Sequence, residues 1–289
     1  MVPLLVVVDG VEHVEGVDLS PAGLLAALAQ GGRKATTSQP PPAAFAAAYK
    51  RAAASGAREI VSVHLSGELS GTVRAARLAA ESSTVPVHVV DSRVVGMALG
   101  FAVLAAARYS VERDGVGWSD ASATGPVAGV RSWWRGQRHV EPALPTGGEV
   151  AERARAVAES ARVWFLVDSL EHLRRGGRVS APATALGMVL GLRPILTLRD
   201  GRIELVERVR TRRAGRDRLV ALAAADAALR PSARVAIHHL AQPDLAKSLA
   251  DDVAAAIGNR LAESVVTEAS AVLAAHAGPG VLAVVVSDG

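Results

Sequence analysis

The 289-residue chain has no cysteine. That excludes disulfide bridges, thiolate nucleophiles and cysteine-ligated metal, and it agrees with a reducing compartment. Aromatic residues make up only 3% of a chain that is half hydrophobic, so its cores have to be packed with alanine, valine and leucine. No apolar run reaches the roughly 18 to 20 residues needed to span a bilayer, and the N-terminus lacks a charged segment followed by a signal-type apolar stretch. The expectation is a cytoplasmic protein. A GxxxxGK[ST] phosphate loop is missing, which disfavours an autonomous nucleotide kinase. So is a GxSxG nucleophile elbow. His64, His238 and His239 stand at the ends of strand-like runs without the spacing of metal ligands, so neither metal nor cofactor is expected.

What the chain has in excess is positive charge, formally +4, carried mostly by arginines spread over its length. They crowd together once, in RVRTRRAGRDR at 208–218. Such a run is either a solvated face or a contact for phosphate or an acidic partner, because the guanidinium fork suits both anions. No aromatic residue interleaves with it and no reader motif accompanies it, so nucleic acid is not an expected partner.

Chain length predicts two domains sharing a crevice. In the first, strand-like runs at 2–10, 59–65 and 85–92 alternate with helix-like segments at 21–30, 43–55, 70–82 and 96–110. Alternation of this kind predicts an α/β fold with parallel strands joined by crossover helices. The pattern fails between 113 and 148, a Gly-, Pro- and Ser-rich stretch that reads as an irregular insert. It contains Trp133 and Trp134 between Arg131 and Arg135. That pair suits a loop folded over a core edge or a transient contact with a membrane surface or partner. Beyond it, after a helix at 149–161, six strand-like runs predict a mixed sheet. Two of them are joined by Asp200-Gly201, a hairpin signal. The predicted domains are 1–150 and 151–289.

Two segments carry the functional signal. TTSQPPP at 36–42 and LSGELSGT at 65–72 place small hydroxyls and glycines at loop-to-helix junctions, where free backbone amides favour a carboxylate or phosphate. Thr37, held before Pro40, and Ser70, beside Gly71 and Thr72, are the leading candidates. Helix capping is the ordinary alternative for both. Ser38 is a weaker candidate for the same anion. His276, in AHAGPG, sits in a glycine-rich setting suited to a binding loop.

Together, TTSQP, VHLSGELSGT, VDSRVVGMALG, DSLEHLRRGGRVS, RPILTLRDGRIELVERVRTR and AHAGPG resemble, in order and spacing, the DegV family of bacterial fatty-acid-binding proteins. The resemblance covers almost the whole chain outside 113–148. It implies a two-domain α/β fold with one long-chain fatty acid buried between the domains, and a separate fatty acid kinase subunit that phosphorylates the carboxylate. Thr37, Ser70 and His276 match the family's headgroup ligands, while Ala275 replaces a hydroxyl residue often found before that histidine. An acyl tunnel needs apolar lining, since burial yields about 0.8 kcal/mol per methylene. Leu186, Met188 and Leu190 in the glycine-punctuated run ALGMVLGL are its candidates, with Met97 and Phe165. Arg178, Arg210 and Arg212 are candidates for facing the kinase or its nucleotide. Family members normally open with a strand and helix carrying a VTDS-like motif ahead of the segment that starts here at Val2. Either the start site is misassigned or this member lacks that strand, and a missing strand would leave a sheet edge exposed. The alternative to a carrier is a hydrolase or phosphotransferase using Ser70 as nucleophile.

Overall fold

A hairpin opens the fold where alternation predicts a crossover. The structure, a computed structural model, describes residues 1–29, 35–111, 144–179 and 191–289. Strands β1 (Leu5–Val8) and β2 (Val11–Val14) are joined by Asp9 and Gly10, with φ of 50° and 85°. Two residues at positive φ make the mirror-image turn whose twist suits an antiparallel pair, whereas a parallel connection needs a dozen residues or more. β3 (Ala35–Ser38) adds to the other side of β1, again antiparallel, with Thr37 paired to Val6. The first sheet, β2-β1-β3, is thus antiparallel, and the TTS of TTSQ is strand rather than loop.

From there the predicted alternation holds. α1 (Pro21–Ala29) is capped by Ser20, whose Oγ accepts from Gly23 N at 3.0 Å. α2 (Pro42–Ala54) starts behind two prolines and buries Phe45 and Tyr49. β4 (Ile60–His64) and β5 (Val87–Asp91) form a parallel pair joined through α3 (Thr72–Ala80), the predicted crossover unit. α4 (Met97–Val111) follows. Trp133, Trp134 and most of the expected insert lie outside the described residues.

Thr146 begins α5 (Gly147–Ser160) with a capping box, its side chain accepting from Glu149 N while the Glu149 carboxylate accepts from Thr146 N. This helix runs through residue 150, where the domain boundary is expected. Its first half packs Val150, Ala151 and Ala154 against Val90 of β5 and Ala106 of α4, and its second half puts Val157 and Ala158 into the larger core.

All six predicted strands of the second part form one sheet, ordered β10-β9-β11-β6-β7-β8. They are β6 (Arg162–Leu166), β7 (Arg193–Arg199), β8 (Arg202–Val209), β9 (Ala233–His239), β10 (Leu261–Glu268) and β11 (Leu282–Asp288). Only β9 and β10 pair in parallel, so the sheet is mixed as expected. Asp200 and Gly201, at φ 50° and 81°, make the β7–β8 hairpin. One face, with Ile237 and Val284, is covered by α7 (Arg212–Ala227) and α8 (Pro243–Ile257). The other, with Phe165, Ala236 and Val285, joins Val6, Leu24, Phe101 and α9 (Ala271–Ala277) in the largest core. α6 (Glu171–Arg175) adds Leu173 to it. This second face carries the site.

Candidate functional site

Period-two alternation puts Val163 and Phe165 of β6 and Ala283 and Val285 of β11 on the same sheet face. With Leu198, Ile203, Val272 and Leu273 they line a cavity of about 110 Å³. That is several times the ~30 Å³ share of one water in the liquid, and a void walled mainly by carbon stays dry and accepts apolar guests. Thr37, Ser70, Arg178, His238 and His276 are its polar lining residues.

Two predicted ligands meet directly, Thr37 Oγ1 and His276 Nε2 lying 2.7 Å apart. Thr37 is carried by β3 and His276 by the end of α9, which Gly278 terminates at φ 76°. Burial, assisted by the charge of Arg178, pushes His276 down to about 4, so its imidazole is neutral at pH 7. Ser70 precedes α3 and accepts from Thr72 N at 3.4 Å. A Cβ on Gly71 would fall 1.6 Å from Gln39 Oε1, so a larger residue there forces the Gln39 amide, just after β3, to move off the LSGT turn. Arg178 ties the same turn down. Its Nε donates to Leu69 O at 3.0 Å and its NH1 to Gly176 O. The sequence aims Arg178 at a partner, and the structure sets it half-buried in the cavity wall beside His276.

Other candidates fall elsewhere. Ser38 Oγ donates to Gln39 O at 3.4 Å, and Thr72 is buried with its hydroxyl unpartnered among the described residues. Neither is on the cavity wall, and the Met97 side chain packs against the core next to it. Leu186, Met188 and Leu190 lie outside the described residues. Arg210 is exposed, while Arg212 pairs with Asp168, which Arg193 also reaches at 2.8 Å. Part of the arginine run is therefore answered within the fold.

One lining residue was set aside on sequence grounds. His238 accepts from Met97 N at 2.8 Å through Nε2, which leaves the proton on Nδ1, and Nδ1 is buried without a partner among the described residues. Burial pushes it down to about 4. Its signal in the sequence is parity, since it shares a strand face with Ala236. As for chemistry at Ser70, no hydrogen bond joins it to a histidine or carboxylate among the described residues, and His276 Nε2 is engaged with Thr37. No three His, Asp or Glu side chains among the described residues group as metal ligands, and no described helix is long and apolar enough to cross a membrane.

Comparison with known proteins follows the same outline. The family model described as an uncharacterised protein of the DegV family matches residues 1–114 and 146–288. A DegV domain-containing protein of Streptomyces coelicolor is 42% identical over 287 residues, covering 99% of this chain and 90% of the relative. One from Mycobacterium tuberculosis is 36% identical over 292 residues, covering 100% and 89%. Among solved structures, a DegV family protein from Thermus thermophilus, described for its fatty acid binding, superposes with a TM-score of 0.82 at 29% identity, covering 99% of this chain and 91% of that one. DegV of Bacillus subtilis, described as a fatty acid binding protein, gives 0.79 at 25%, covering 100% and 91%.

Proposed function

This chain belongs to the DegV family, and on that premise we propose that it binds a long-chain fatty acid and presents the carboxylate to a separate fatty acid kinase subunit, which converts it to an acyl phosphate. The observation that carries the reading is the Thr37–His276 pair, with Ser70 and Arg178, in the wall of a carbon-lined cavity. Each methylene moved from water into that cavity contributes about 0.8 kcal/mol. The hydroxyls and the neutral imidazole supply hydrogen bonds, and the Arg178 guanidinium supplies the counter-charge that a buried carboxylate requires. The relatives from T. thermophilus and B. subtilis, described as fatty acid binding, support the choice of ligand. In this reading the chain performs no chemistry of its own. Exposed Arg210 faces the kinase, and the phosphoryl group comes from that partner's nucleotide.

The test is native mass spectrometry of the protein purified from a bacterial host. A co-purifying mass equal to a fatty acid, lost in Ser70→Ala, is expected. Its absence after deliberate lipid loading overturns the ligand. Adding ATP and a fatty acid kinase catalytic subunit should then yield acyl phosphate from wild type and much less from Arg210→Glu. A loaded protein that no kinase subunit accepts overturns the presentation step alone.

A further inference from the structure

At the end of β9 remote from the acyl cavity lies a second pocket of about 360 Å³, within the range of small-molecule sites. Three arginines from three elements converge on it: Arg108 from the last turn of α4, Arg153 from α5 and Arg234 from β9. We propose that this pocket binds a soluble phosphate or diphosphate ester through those three guanidinium groups.

Arg234 is the anchor. It is 7% exposed, its Nε donates to Asp288 O at 3.0 Å, and its guanidinium stacks over the Phe101 ring at 5.6 Å from the centroid. Its NH1 is buried with no acceptor among the described residues. The residue opposite on β11, Ser287, is fully buried and its hydroxyl is also unpartnered. These two unpartnered groups lie beneath the pocket floor, where they are costly to leave unsatisfied, while the rest of the Arg234 side chain forms part of the pocket wall. Arg108 and Arg153 are exposed and take part in no ion pair among the described residues. Glu263 is the single acidic side chain among the described lining residues, so positive charge prevails, and the Tyr109 hydroxyl adds a further polar group. Planar forks aimed from several sides fit the oxygens of a phosphate better than they fit any single carboxylate.

The pocket is separate from the fatty acid site. Arg234 precedes His238 by four residues on the same face of β9, about 13 Å along the strand, and the Phe101 ring stacks on Arg234.

Calorimetric titration of the full chain at low ionic strength tests the site, with pyrophosphate as probe. One equivalent is expected to bind, and Arg108→Gln and Arg153→Gln should each weaken it about tenfold, the weight of a charged hydrogen bond. Both residues are exposed, so folding is not at stake. Arg74→Gln, an exposed arginine of α3, should leave the affinity unchanged. No saturable heat at millimolar pyrophosphate, or binding indifferent to both substitutions, overturns the proposal. So does Arg108- and Arg153-dependent binding to vesicles containing phosphatidic acid without any binding of pyrophosphate, which would assign the pocket to a lipid headgroup. The fatty acid adduct in mass spectra should be the same in every variant, so this site and the acyl site fail independently.

Discussion

Thr37 Oγ1 and His276 Nε2 lie 2.7 Å apart although the two residues are 239 positions apart in the sequence. The contact joins the edge of the first sheet to the helix packed on the second, at the polar lining of the cavity. A fatty acid carboxylate placed there would accept from the hydroxyl. Thr37→Ala should weaken binding of a fluorescent fatty acid roughly three- to tenfold, one hydrogen bond's worth, and Thr37→Ser should restore most of it. Equal affinity in all three proteins would remove Thr37 from the ligand set.

The His276 ring is held by what is missing opposite it. Gly176 has φ −71°, which alanine tolerates, but a Cβ there would come within 2.5 Å of His276 Nδ1. Gly176→Ala should push the ring off Thr37, cost about 1–3 kcal/mol of stability and sharply reduce fatty acid binding. Gly177, at φ 71° with open space around it, is the control, since alanine there strains the backbone without touching the ring. If the two variants lose stability alike and bind alike, packing against Gly176 does not position His276.

Acid should destabilise the protein in a defined window. His64, His238 and His276 are each pushed down to about 4, chiefly by burial, from an ordinary 6.5. Between those values the unfolded chain binds protons that the folded chain refuses. Stability is therefore full above pH 7 and falls as pH drops from 6.5 toward 4, by up to about 1.4 kcal/mol per pH unit for each histidine. Urea midpoints at pH 7.5, 6 and 5 measure this directly, and His64→Gln should flatten the slope. A midpoint that stays level over that range contradicts the three neutral histidines.

The residues themselves explain what was legible. Asp200-Gly201 announces its hairpin because both turn positions need positive φ and the flanking runs are unmistakable strands. Asp9-Gly10 makes the same turn, yet β2 is only VEHV, short and half polar, so its strand character comes from pairing with β1 and not from its own pattern. The TTS of β3 reads as a loop for the same reason: a polar edge strand draws its conformation from its neighbour. Thr37, Ser70 and His276 stand out in the sequence as hydroxyls and a histidine beside glycines, and the structure brings all three to one cavity wall. His238 does not stand out, because its position on the cavity wall depends on Gly96 and Met97 approaching from far along the chain, a long-range relation that local composition does not encode.

Two serines four residues apart separate structure from function. Ser66 is fully buried, its Oγ donating to Gly201 O at 2.7 Å and accepting from Glu68 N at 3.2 Å, so it fastens the LSGELSGT turn to the β7–β8 hairpin. Ser70 reaches the cavity and spends its hydroxyl only on a 3.4 Å contact with Thr72 N. Ser66→Ala leaves the buried Gly201 carbonyl without its donor and the half-buried Glu68 amide without its acceptor and should cost about 1–3 kcal/mol, lowering the thermal midpoint while protein at 20 °C still carries its fatty acid. Ser70→Ala should do the reverse, keeping the midpoint of the ligand-free protein within a degree or two and losing the adduct, because removing one weak cap contact costs about 0.5 kcal/mol or less. Thermal melts of delipidated protein and native mass spectra of the two variants decide the matter. A Ser70→Ala protein that melts as early as Ser66→Ala would make Ser70 a structural cap and leave Thr37, Arg178 and His276 to hold the carboxylate.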